Sequence, residues 1–186
     1  MNYVVVPLDE SHRRALIQLS TGAATASGLD DVHHCRRPHI TLVAFEGVPR
    51  RDGYRALAHV AAAAVPFIVH ASGFGFFCDD GPAGANLHLD VVRGRRLDTL
   101  QRAVCAALKR AGAEIAPWCE PERWTPHITL LDDGLAAAEL GAVAAWLARR
   151  HHPSWNIPVD RFTVDLGSTA RHRPELEFRL GLADPR

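Results

Sequence analysis

The chain lacks a basic excess. Its 186 residues carry 21 basic and 21 acidic side chains, so the formal net charge is zero. Proteins that grip long nucleic acid ordinarily show a basic balance; this one suits a small nucleotide or an RNA end held by a local patch. Lys109 is the sole lysine, an imbalance that reads as base composition and not as function. Cysteine is scarce as well. Cys35, Cys78, Cys105 and Cys119 form no C-x-x-C pair, and free thiols in a reducing compartment are the default. No apolar run approaches the roughly 18 residues of a membrane helix. The opening Met1-Asn2-Tyr3-Val4-Val5-Val6-Pro7 has no charged leader and too short an apolar stretch for a signal peptide. The expectation is a cytoplasmic protein with no membrane association and no obligate protein partner.

What is present is a repeat. Pro38-His39-Ile40-Thr41-Leu42 recurs unchanged as Pro126-His127-Ile128-Thr129-Leu130. In an extended strand, residues i and i+2 share a face. Each copy therefore offers one imidazole and one hydroxyl on one surface and turns two apolar residues to the other. The proline fixes φ at the strand entry. If the two strands lie side by side, two imidazoles and two hydroxyls meet in one cleft. With a free pKa of about 6.5, one imidazole can be neutral while the other is charged. One then takes a proton and the other gives one, and the hydroxyls donate to phosphoryl oxygens. That is the equipment for phosphodiester cleavage without a metal or other cofactor.

Pattern along the chain predicts a buried strand at Tyr3–Leu8 and a helix to about Ala26, capped by Asp9 or Ser11 and ended by Gly28. The first motif strand spans Pro38–Phe45. A helix over Asp52–Ala64 and a strand over Phe67–Phe77 follow, then a turn at Asp79–Ala85 and a strand at Leu87–Val92. Leu97–Ala111 is helical, with an apolar stripe of Leu97, Leu100, Val104, Ala107 and Leu108. After a loop at Ile115–Thr125 come the second motif strand, Pro126–Leu131, a helix at Leu135–Arg150, a strand at Ile157–Leu166, a turn at Arg171–Pro174 and a last strand at Leu176–Leu182. Strand, helix, motif strand, helix, strand thus occurs twice. The fold class is α+β: a bilobal duplication with pseudo-twofold symmetry that sets His39 and His127 across an axis. The whole chain forms one domain, with lobes at about 1–85 and 86–186 and strand exchange between them allowed.

At these motifs the chain resembles the two-histidine phosphoesterase superfamily, which includes RNA 2′,3′-cyclic phosphodiesterases often labelled 2′-5′ RNA ligases. The resemblance runs from Tyr3 to Leu182 and is specific only at the two complete His-x-Thr-x motifs. It implies two antiparallel-rich sheets lining a central cleft, with helices packed outside. It also implies hydrolysis of a 2′,3′-cyclic phosphate to a 2′-phosphate, with His127 as base, His39 as acid, and Thr41 and Thr129 on the phosphoryl oxygens. The sequence is so nearly symmetric that acid and base labels can be exchanged. Arg123, four residues before His127, matches the R-x-x-P-H of many relatives and can pair with phosphate. Phe45 answers an aromatic of the family's first motif, displaced by one residue. The family's arginine after the second motif is replaced by Asp132-Asp133, which leaves the substrate open.

Trp124, Trp118 and Phe45 are candidate stacking platforms for a base; each is also a candidate for the core, and so is Tyr3. Arg36 and Arg37 precede the first motif and could approach an RNA strand. His88 sits opposite the apolar face of its strand and reads as exposed. His33-His34-Cys35 and His151-His152 lack partners at ligand spacing, so no metal site is expected. Other readings are a hydrolase of 2′-5′ linked oligonucleotides, cyclic signalling nucleotides or an ADP-ribose cyclic phosphate, and a non-catalytic nucleotide binder. The sequence does not choose the substrate, the direction of reaction or the oligomeric state.

Overall fold

A computed structural model describes residues 1–28, 37–47, 51–78, 85–149, 153–167 and 176–182. The expected histidine pairs at 33–34 and 151–152, Cys35, Arg36 and the turns at 79–84 and 171–174 lie outside them.

The chain begins with β1 (Asn2–Pro7), whose Val4, Val5 and Val6 are buried. Helix α1 (Glu10–Ser27) starts where the Asp9 carboxylate accepts from the His12 amide at 3.0 Å and stops at Gly28, whose φ of 74° is left-handed. The first motif lies on β2 (His39–Glu46), followed by α2 (Arg51–Ala63) and β3 (Phe67–Cys78). The second half repeats this order with β4 (Ala85–Val91), α3 (Arg95–Arg110), the two-residue β5 (Glu114–Ile115), β6 (His127–Leu135) carrying the second motif, α4 (Ala137–Leu147) and β7 (Ser154–Val159). Strands β8 (Arg161–Asp165) and β9 (Leu176–Arg179) close it.

Two antiparallel sheets result, in the orders β5-β2-β1-β8-β9 and β6-β4-β3-β7. Each motif strand pairs with the first strand of its own half, and each half lends its closing strand to the other sheet: β3 pairs with β4, and β8 with β1. The helices are exchanged too. α1 packs on β6 and α4, whereas α3 packs on β2 and α2. One apolar core joins the layers.

Two expected elements need correction. The single strand foreseen at Ile157–Leu166 is two strands in different sheets, because the chain leaves β7 at Asp160 and enters β8 one residue later. The second motif strand runs on to Leu135, so the helix foreseen from Leu135 begins at Ala137.

Candidate active site

The two motifs fold alike. In both, proline is buried, histidine half-buried, isoleucine buried, threonine half-buried and leucine buried. Ile40, Leu42, Ile128 and Leu130 go to the core under the helices, which leaves His39, Thr41, His127 and Thr129 on the opposite faces. β6 is an edge of its sheet, and β2 is an edge along His39–Val43, since β5 pairs only with Phe45 and Glu46. The two edges touch. The helix-free faces of the sheets thus open from a shared seam, with one His-Thr pair on each side.

Both imidazoles are held in the same way. Nδ1 of His39 lies 2.7 Å from the carbonyl oxygen of Arg37, and Nδ1 of His127 lies 2.8 Å from that of Thr125. A carbonyl only accepts, so Nδ1 carries the hydrogen in each ring. Nε2 is then the atom that changes protonation, a neutral acceptor or a charged donor. Each carbonyl belongs to the residue two before its histidine, so the orienting contact comes from the backbone immediately ahead of the motif.

The seam is braced by Trp124, whose Nε1–H donates to the Thr41 carbonyl at 2.9 Å. Arg93 holds the approach to the second motif. It donates to the Trp124 carbonyl at 2.9 Å and to the Pro121 carbonyl, pairs with Asp98, and stacks its guanidinium 5.4 Å from the Trp124 ring centre.

Two of the expected stacking aromatics are buried. Phe45 is fully buried and Trp124 nearly so, at 3% exposure; neither has a face for a base. Both fill the space where sheets and helices converge, and Trp124's polar edge is spent on Thr41. Trp118 is exposed on the short turn whose Ala116 and Cys119 bond to Ala44, five residues along β2 from His39. Arg123 is exposed on the turn before the motif, and Arg37 is exposed at the start of β2. The side chains of Asp132 and Asp133 lie outside the described structure.

Sequence reasoning missed three residues at the second histidine. His88, expected to be exposed, is only 3% exposed. It stands opposite Thr129 in the β4–β6 register, and Asp90 stands opposite His127. The His88 ring centre is 5.2 Å from that of His127. Phe77, partly exposed at the end of β3, stacks on His88 at 4.1 Å and presents an edge to His127 at 4.7 Å. Nε2 of His88 is 3.2 Å from Oδ1 of Asp90. Burial pushes the His88 pKa down and the neighbouring His127 adds to this, against the opposing pull of Asp90. The signal available in the sequence was the i, i+2 spacing of His88 and Asp90 on a strand whose other face is apolar. What it could not show was that this face lies beside His127.

A groove of about 780 Å³ between α2 and α3 is lined by Arg95, Arg96 and Arg110. It opens on the helix side and includes none of the motif residues.

The profile of the 2′-5′ RNA ligase superfamily matches residues 8–165. Among solved structures, TT0787 of Thermus thermophilus superposes with a TM-score of 0.69 at 20% identity, covering 97% of both chains. E. coli LigT, in a complex with 3′-AMP, superposes with a TM-score of 0.67 at 19% identity, over 97% of this chain and 98% of LigT. A further structure, described as a phosphoesterase, gives 0.66 at 19% identity, over 97% of this chain and 98% of that one. No curated protein sequence matches significantly.

Proposed function

This chain belongs to the 2′-5′ RNA ligase superfamily, and from that premise we propose that it is a metal-independent phosphodiesterase that opens a 2′,3′-cyclic phosphate, on an RNA end or a nucleotide, to leave a 2′-phosphate. The observation that carries the reading is the matched tethering of His39 and His127 through Nδ1, which makes Nε2 the titrating atom of each ring. E. coli LigT has been crystallised with 3′-AMP and with ATP, which favours a nucleotide as the ligand here.

In this mechanism His127 Nε2 removes a proton from water as its oxygen bonds to phosphorus. The bond from phosphorus to the 3′ oxygen breaks, and His39 Nε2–H protonates that oxygen. The product carries a 2′-phosphate and a free 3′-hydroxyl. The proton gained by His127 and lost by His39 is re-equilibrated with solvent before the next turnover. Thr41 and Thr129 donate to the non-bridging oxygens as charge moves onto them. Arg123 reaches the phosphate or the adjoining strand from its exposed turn. Phe77, the exposed aromatic beside His127, offers a face to the base. With a 5′-hydroxyl in place of water, the same groups would join a cyclic phosphate end to a second strand as the 3′ oxygen leaves, giving 2′-5′ ligation; abundant water favours hydrolysis. A cytoplasmic location is part of the proposal. Among the described residues, no helix is long and apolar enough to cross a membrane.

The test is turnover of a 2′,3′-cyclic nucleotide, and of a short RNA ending in one, with chelator present, for wild type, His39→Ala and His127→Ala. Formation of a 2′-phosphate product that is lost in both variants is expected. No turnover by a folded wild-type protein on either substrate overturns the reading; 2′-5′ linked oligonucleotides, signalling nucleotides and an ADP-ribose cyclic phosphate would be assayed next, then binding alone.

A further inference from the structure

The two motifs are identical, but their neighbours are not. In the β1–β2 register, Val5 stands opposite Thr41 and Pro7 opposite His39. In the β4–β6 register the same places are taken by His88 and Asp90. The first histidine therefore has apolar neighbours on the adjoining strand, whereas the second has an imidazole and a carboxylate.

The chain has made room for this pair. A Cβ on Gly75 would overlap Nε2 of His88 and lie 2.9 Å from Oδ1 of Asp90, and one on Gly73 would lie 3.7 Å from Oδ2 of Asp90. Gly73, with φ of 87°, sits in the irregularity where β3 shifts register between Ala71 and Phe74. Gly75 on β3 thus clears a slot into which β4 directs His88 and Asp90, while Gly73 is required by its positive φ; Phe77 closes the slot by stacking on His88. Nδ1 of His88 is buried without a hydrogen-bond partner among the described residues, an arrangement that burial for packing alone would not favour.

We propose that His88, aimed by Asp90, is a positioning residue for His127, and that this pair makes two identical motifs chemically unequal. The ring wall of His88 and Phe77 and the Thr125 carbonyl together restrict the His127 imidazole. Asp90 and His88 also set its proton affinity. Among the described residues, the charged or titratable groups on the elements facing His127 include His88 and Asp90 on β4 and, across the seam, His39 on β2; Phe77 on β3 is uncharged, and Arg123 lies on the preceding turn. A carboxylate favours an imidazolium nearby, and His88, whose own charging is opposed by burial, engages the Asp90 carboxylate that would otherwise act on His127 alone. His39 has neither on β1. The inference rests on the phosphodiesterase reading for its purpose but not for its test.

The test is a titration of the histidine rings by NMR on ¹⁵N-labelled protein without substrate, for wild type, His88→Phe and Asp90→Asn. Phenylalanine keeps a ring between Phe77 and His127 but cannot carry charge or occupy Asp90. It should raise the His127 pKa by roughly half a unit or more. Asp90→Asn removes the carboxylate and should lower it by a similar amount. His39 should stay put in both, and in the pH–rate profile only the limb belonging to His127 should move. Unshifted His127 in both variants, or His39 moving with it, overturns the proposal. Asp90 is about half exposed, so its variant remains a folded test if His88→Phe does not fold. If the protein turned over no cyclic phosphate, the titration would still decide the coupling; if turnover held and His127 did not shift, only this inference would fall.

Discussion

The indole Nε1–H of Trp124 donates to the backbone carbonyl of Thr41 across 83 positions of sequence, at 2.9 Å. A residue three before the second histidine is thereby fixed to the middle of the first motif. This bond ties together two strands that belong to different sheets.

Trp124→Phe keeps most of the buried ring and removes the donor. The Thr41 carbonyl is then left without that donor inside the seam, which should cost about 1–3 kcal/mol of stability in urea unfolding. Turnover should fall as well, since the bond holds the two His-Thr pairs in register. Trp118→Phe, at an exposed site, is the control and should change neither quantity appreciably. Equal effects from the two would remove Trp124 from its bridging role.

Gly75→Ala tests the slot for His88 and Asp90. Its Cβ would overlap His88, and overpacking of this kind costs about 1–3 kcal/mol. The displacement is passed to His127 through contacting rings, so kcat/KM should drop on the order of 10- to 100-fold. Gly141→Ala in α4 meets nothing within 4 Å; it should leave activity alone and stabilise by up to about 1 kcal/mol.

The sequence carried the motifs in full because a five-residue repeat on strands has fixed facing. The side-chain period of two alone sends His39 and Thr41 one way and Ile40 and Leu42 the other. Helix starts and stops were legible where a local device sets them, as at Asp9 and Gly28. Partner exchange was not legible. Whether β3 returns to its own half or crosses to β4 depends on long-range pairing. Asp160, where one expected strand becomes two, is a break that periodicity passes over. Aromatic roles failed for the same reason: Phe45 and Trp124 lie near the motifs in sequence but are enclosed by elements from elsewhere. His88 and Asp90 were visible only as residues on the polar side of a strand.

The stability of the protein should depend on His88 near neutral pH. Its folded pKa is lowered, first by burial and then by His127, while its unfolded value is about 6.5. Above that pH the ring is neutral in both states. As pH falls below it, the unfolded chain binds the proton first, so stability declines until the folded pKa is reached. Thermal melts from pH 8 to pH 5 should show this loss in wild type and a smaller one in His88→Phe. His127→Gln removes the repulsion, raises the folded His88 pKa and narrows the window; His39→Gln should not. A window unchanged in His88→Phe would assign the acid lability to other groups.

The thiols give a final, independent check on the packing of the seam. Burial pushes Cys119 up to about 12, even though the Ala44 amide donates to its sulfur at 3.1 Å and favours the thiolate. Cys105 is also raised by burial, whereas Cys78 is exposed at the end of β3. Alkylation requires the thiolate and access to it. Brief treatment with iodoacetamide at pH 8, followed by peptide mass spectrometry, should label Cys78 and spare Cys105 and Cys119. Cys119 lies against β2 on the turn that leads towards Trp124, so Trp124→Phe should speed its labelling more than that of Cys105 on α3. Equal acceleration at both would mean that the variant loosens the whole core and not the join between the two motifs.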